Sequence, residues 1–110
     1  MNLKIKTLNS FTKDAKRLFK KYKRLPNDLK LLKKELTQNP KSGIELGNRC
    51  YKIRLANSSI PTGKSGGFRI IYYYIDAEHN LYLMSMYSKN ELENIDDKTI
   101  LNILKENNLL

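Results

Sequence analysis

The sequence predicts an α+β fold in the order β-α-α-β-β-β-α. A four-stranded, mainly antiparallel sheet would carry an α-helical hairpin across one face, with a short helix at the C-terminus. Three observations lead there. Apolar residues recur at helical spacing over residues 11–36, and Leu25-Pro26 breaks the run once. Three later stretches, residues 50–56, 68–75 and 81–87, have strand length, are rich in Ile, Leu and Tyr, and are separated by turn residues. A last helical pattern follows an acidic cap at Asp96.

Leu3–Leu8 alternates apolar and polar residues, the period of a half-buried strand that would join the later three. Asn9 and Ser10 offer caps for a helix starting near Phe11, with an apolar stripe of Phe11, Ala15, Leu18, Phe19 and Tyr22. Pro26 disfavours helical geometry in Leu25 but fits the first turn of a second helix, where its missing N–H is not needed. That helix has the stripe Leu29, Leu32 and Leu36 and ends at Asn39-Pro40. Residues Lys41–Arg49, with two glycines, read as a connecting loop. The strand at 50–56 is followed by a polar loop, Thr62-Gly63-Lys64-Ser65-Gly66-Gly67, and then the strand at 68–75. Asp76–Asn80 turns the chain into Leu81–Tyr87, and Ser88-Lys89-Asn90-Glu91 leaves that strand. Ile95 and Ile100 are placed to form a hydrophobic staple across the Asp96 cap, and Ile100, Ile103 and Leu104 give the last helix its apolar face.

A chain of 110 residues, 40% hydrophobic, fits one domain over 1–110 with its own core. A lone cysteine, Cys50, makes no internal bridge and reads as a small core residue; this fits a reducing, cytoplasmic compartment. The first ten residues lack the apolar centre of a secretory leader, and no apolar run approaches bilayer-spanning length. The net charge of +10 is unevenly spread. Residues 1–34 hold twelve cations and two acids, and residues 35–75 hold six and two. Residues 76–110 hold three cations and seven acids. The positive field of the first two thirds suits a polyanionic partner.

Few residues can do chemistry. One histidine, His79, in a charged turn, and one cysteine make neither a nucleophilic triad nor a metal site, and no cofactor is implied. Gly63-Lys64-Ser65-Gly66-Gly67 is not a nucleotide-binding phosphate loop, because that loop needs GxxxxGK[ST] between a strand and a helix. What remains is cationic. Strand alternation sets Lys52 and Arg54 opposite to Tyr51, Ile53 and Leu55. Arg69 opens a strand face otherwise made of Ile71, Tyr73 and Ile75, where it needs a functional anion or an internal acid such as Glu91 or Asp76. Lys89 comes near Arg69 if the last two strands are neighbours. The tyrosines are mainly sheet packing, with Tyr73 and Tyr87 as candidates to stack on a base.

The blocks YKIRLA, GKSGGFRIIYYY and LYLMSMYSKNE, in that order, resemble the RelE/HigB superfamily of bacterial toxins, nearest its HigB-like branch. The likeness spans most of the chain, and the second and third blocks are its most specific parts. It implies a RelE-like fold and a ribosome-dependent endoribonuclease, an mRNA interferase that cuts mRNA in the ribosomal A site and so inhibits translation. By position it assigns the catalytic cations as Arg69, on phosphate, with Lys52, Arg54 and Lys89. RNA contact falls to Lys64, Ser65, Tyr73, Tyr87 and Asn90. It implies a cognate antitoxin, contact with operator DNA only through that antitoxin, and no membrane partner. RelE itself has arginine where this chain has Asn90, and its tyrosine near the C-terminus has no clear match in Glu91–Leu110. The alternatives are a ParE-like poison of DNA gyrase and a basic RNA-binding module without catalysis.

Overall fold

The computed structural model describes residues 3–61 and 66–110. Its elements are β1 (Lys4–Thr7), α1 (Asn9–Lys21), α2 (Leu25–Gln38), β2 (Ile44–Gly47), β3 (Cys50–Leu55), β4 (Phe68–Ile75), a 3-10 turn (Asp76–Glu78), β5 (Asn80–Ser88) and α3 (Asp97–Glu106). The strands form a single five-stranded sheet in the order β1-β5-β4-β3-β2. Only β1 and β5 run parallel; the other pairs are antiparallel.

The class and the helical hairpin agree with the sequence reading, but the sheet has five strands, not four. The extra strand, β2, lies within the stretch expected to be loop. Gly47, Asn48 and Arg49 all have positive φ (92°, 52° and 64°), so the chain reverses tightly into β3. Such turns favour Asn-Gly, and Asn-Arg gives no such signal. All four β2 residues are exposed, so no buried alternation marks it either.

Two apolar layers cover the sheet. On one face the hairpin packs Phe11, Leu18, Tyr22, Leu25, Leu32 and Leu36 against Tyr51, Ile53, Leu55, Phe68, Ile70 and Tyr72. On the other, α3 packs Ile100, Ile103 and Leu104 against Cys50, Ile71, Tyr73 and Met84. Phe19, expected in the core stripe, is 43% exposed beside an apolar groove of about 330 Å3 between α1 and α2. Lys23 Nζ lies 5.0 Å from its ring centre, so the ring meets a cation rather than the core.

The cap of α3 forms as the sequence indicates, with Asp96 Oδ1 accepting from Thr99 N at 2.8 Å. The cap of α1 does not. The helix begins earlier, after Leu8, with no side-chain cap. Ser10 turns instead to β5, and its Oγ donates to Met84 O. This matters because β1 pairs only with Asn80–Leu83, which among the described residues leaves the outer edge of β5 without a strand beyond that point. Side chains of α1 take over the edge. Asp14 Oδ2 accepts from Met86 N and Ser85 Oγ, each at 3.0 Å. A helix so covers a sheet edge that would otherwise expose unpaired backbone groups.

Burial of Cys50 pushes its thiol up to about 11. In the native state it should resist iodoacetamide at pH 8 and react once the chain is unfolded; native labelling at the unfolded rate would place it at the surface. Tyr72, whose hydroxyl donates to Pro40 O, is pushed up to about 12, chiefly by burial. Both groups hold their protons longer folded than unfolded. The folded state therefore binds more protons above the ordinary thiol and phenol pKa values, and stability falls as pH rises through that range.

Candidate nucleic-acid site

The register of three strands sets the site. Arg54 on β3 pairs with Arg69 on β4, and Arg69 pairs with Tyr87 on β5, so the three form one cross-strand row. Arg69 and Tyr87 lie on the α3 side of the sheet, and alternation puts Lys52 and Arg54 there too, since Tyr51, Ile53 and Leu55 fill the opposite core.

Tyr87 reaches this face through a bulge. Tyr72 pairs with Leu83 but Ile71 pairs with Ser85, so Met84 is an extra residue in β5. Simple alternation from Leu81 and Leu83 would put Tyr87 in the hairpin-side core. The inserted residue turns it to the face of Arg69 instead.

Arg69 is buried at 6% exposure, and its Nη1 donates to Phe68 O at 3.3 Å. Burial, then the neighbouring Arg54 charge, lowers its pKa from the usual guanidinium value, which still leaves it cationic near neutrality. Glu91, one internal acid considered for it, binds Arg17 at 2.6 Å instead. The Tyr87 hydroxyl is buried without a hydrogen bond of ordinary geometry. Burial raises its pKa, while the Ile95 amide and the Arg69 charge oppose that shift.

Two guanidinium-bearing residues face each other across adjacent strands, about 5 Å apart at Cα. Like charges so placed destabilise a sheet and attract an anion. Arg54→Gln should therefore raise stability by roughly 0.2–1 kcal/mol while weakening RNA binding. Urea unfolding and RNA titration of the same sample check both, and a less stable Arg54→Gln would mean that the two charges are already compensated.

Lys52 Nζ donates to Asn94 Oδ1 at 3.1 Å, which ties it to the stretch 89–96. Lys89 follows the pair Ser88–Phe68, and its backbone N donates to Gly67 O at 3.1 Å. Its side chain and that of Asn90 are exposed. Gly67 itself could carry no Cβ, which would lie 2.3 Å from Leu55 O. This glycine serves close contact between the chain's own strands, rather than approach to a ligand. A cleft of about 500 Å3 opens beside the row, lined by residues including Arg17, Ser85, Tyr87, Glu91 and Asn94.

The fold thus brings Arg54, Arg69 and Tyr87 together, with Lys52 on the same strand face and Lys89 just past the last pair of β5. Lys64 and Ser65 lie outside the described residues. Tyr73 and Tyr87, expected to stack on a base, are only 3% and 2% exposed, so neither offers a ring face. Both are held in the core beneath α3, and Tyr73 lies 6.0 Å from the Tyr82 ring. Three residues escaped the sequence reading: Asp14 and Arg17, which look like ordinary members of a charged helix, and Asn94, which has no motif around it. No helix among the described residues is long and apolar enough to cross a membrane.

No protein-family model matches the chain. Solved structures do. The chain is similar to an arginine-to-alanine double variant of E. coli toxin RelE in the free state, at TM-score 0.62 and 19% identity, covering 96% of this chain and 98% of that one. It is also similar to isolated E. coli RelE toxin, at TM-score 0.56 and 18% identity, covering 94% and 97%. At these identities the likeness concerns the fold, which is that of RelE.

Proposed function

We propose that this chain is the toxin of a type II toxin–antitoxin system and acts as an endoribonuclease on mRNA in the ribosomal A site. The observation that carries the reading is the row of Arg54 and Arg69, two opposed cations on one sheet face with Arg69 buried. The RelE fold and the motif resemblance support it. The HigB-like branch rests on the motifs alone.

In this reading a ribose 2′-hydroxyl attacks the adjacent phosphate. The O2′–P bond forms, the bond from phosphorus to the 5′-oxygen breaks, and a 2′,3′-cyclic phosphate is left. Arg69, already desolvated, faces the charge that builds on the phosphorane; a fixed cation in a dry site stabilises that charge more than water does. Arg54 holds the same phosphate from the adjacent strand. Lys52 and Lys89 share the proton transfers: the one that is in its neutral amine form accepts from the 2′-hydroxyl, and the other, as the ammonium, donates to the leaving oxygen. Asn90, exposed beside Lys89, contacts the RNA. The cognate antitoxin presents acids to this row and neutralises it. That antitoxin supplies any contact with operator DNA.

Primer extension on translated mRNA after induction tests the reading. Wild type should give cuts within codons, and Arg69→Ala and Lys89→Ala should give none. The same assay on purified RNA separates dependence on the ribosome from cutting of free RNA. Uncut mRNA with persistent DNA damage would instead favour the gyrase poison, and uncut RNA that is bound with a steep salt dependence would favour a binding module.

A further inference from the structure

Across the cleft beside the cationic row, one charged network ties the first helix to the end of the last strand. Arg17 on α1 donates Nη1 to Asp14 Oδ1 at 2.7 Å and Nη2 to Glu91 Oε1 at 2.6 Å. Asp14 is itself fastened to β5 through Ser85 Oγ and Met86 N. Glu91 folds back on the turn it closes. Its N donates to Ser88 O at 3.2 Å, and its Oε1 accepts from Ser88 N at 3.3 Å. Between Ser88 and Glu91 lie Lys89 and Asn90. The carboxylate that Arg17 grips is therefore the one that shapes the turn presenting Lys89.

The structure assigns Arg17 as the positioning residue for Lys89, acting through Glu91 from 74 positions away in sequence. What the lysine then does rests on the ribonuclease reading above. Two features favour positioning over a purely structural role. The pair is half-exposed, at 49% and 35%, and exposed ion pairs add little to global stability. Arg17 is also held on two sides, by an acid anchored to the sheet and an acid anchored to the turn, so it fixes their separation. Placement errors of about 1 Å cost a reaction up to about a hundredfold, so a small loosening of this turn would be felt in the rate.

The test uses the full chain in single-turnover cleavage of mRNA on ribosomes, with amide hydrogen exchange across residues 88–91. Arg17→Ala and Glu91→Gln should each slow cleavage about tenfold at saturating RNA, with half-saturation unchanged and unfolding midpoints near wild type. The double variant should be no slower than the slower single one, because the two act as one unit. Arg17→Lys, which can reach Glu91 but not hold both acids, should recover part of the rate, and Lys105→Ala, an equal loss of charge on α3, should change nothing. The Lys89 amide should exchange faster in Arg17→Ala and Glu91→Gln. A raised half-saturation with an unchanged rate would overturn the assignment and make Arg17 an RNA contact. Unchanged Lys89 exchange would overturn it too. If wild type itself cuts no RNA, the ribonuclease reading fails separately, and exchange alone decides whether Arg17 places the turn.

Discussion

Arg69→Ala is expected to lower RNA cleavage by at least about a hundredfold while the protein stays folded. The size follows from where the side chain sits. Arg69 is buried, so water shields its charge poorly, and its backbone is fixed on both sides by pairing with Arg54 and Tyr87. A donor held in place before the reaction needs no reorganisation as charge builds on the phosphate. The fold should survive because removal also relieves repulsion with Arg54, which already lowers the Arg69 pKa. Arg69→Lys provides the second variant. A lysine keeps the charge but loses the planar fork that meets two phosphate oxygens, so most of the loss should persist. Single-turnover rates beside thermal unfolding check both. A folded Arg69→Ala that cuts at the wild-type rate would remove this residue from the chemistry.

Phe68→Ala should cost about 3–5 kcal/mol, a large part of the ~5–15 kcal/mol that holds a domain together. Phe68 is fully buried and meets the Tyr22 ring edge-on, with centroids 5.5 Å apart. It also pairs with Leu55 and Ser88, so it lies in the row next to Arg69 and points to the opposite face. Its loss would open a cavity directly beneath the site. Urea unfolding of Phe68→Ala and of Phe68→Leu distinguishes cavity from chemistry, since the leucine should lose far less. Equal losses would contradict tight packing here. RNA cleavage by Phe68→Ala should fall with the folded fraction.

The faces of β3 were legible because alternation there is strict and one side is apolar. So were the hairpin and the Asp96 cap, whose signals are local. Phe19 misled because helical spacing alone does not say where the stripe runs off the core. Ser10 misled because a good capping residue had a better acceptor in Met84 O, far away in sequence. β2 was missed for want of burial and because its turn has glycine before Asn48 rather than after it. Of the candidate site, the pairing of Arg54 with Arg69 and the place of Lys52 on the same face were legible from strand positions. The place of Tyr87 was not, because one inserted residue in β5 reverses every side chain after it and nothing in LYLMSMY announces that residue. Arg17 was hidden among eleven other cations in residues 1–34, and only the fold picks it out.

The covering of β5 by the N-terminal helix has a consequence for the order of events during synthesis. Lys4 pairs with Asn80, Ser10 reaches Met84, Asp14 reaches Met86, and Arg17 reaches Glu91. Each of these contacts joins residues 4–17 to residues 80–91, some seventy-five positions later in synthesis. A growing chain can therefore lay its basic helical hairpin on β3 and β4, but α1 has no strand edge to grip until β5 has emerged. Loop closure over such separations is slow compared with forming the hairpin. The basic surface is thus made early, and the row that acts on RNA in the proposed ribonuclease is assembled only once synthesis has passed residue 91. A chain released before that point can carry the charge but cannot complete the site.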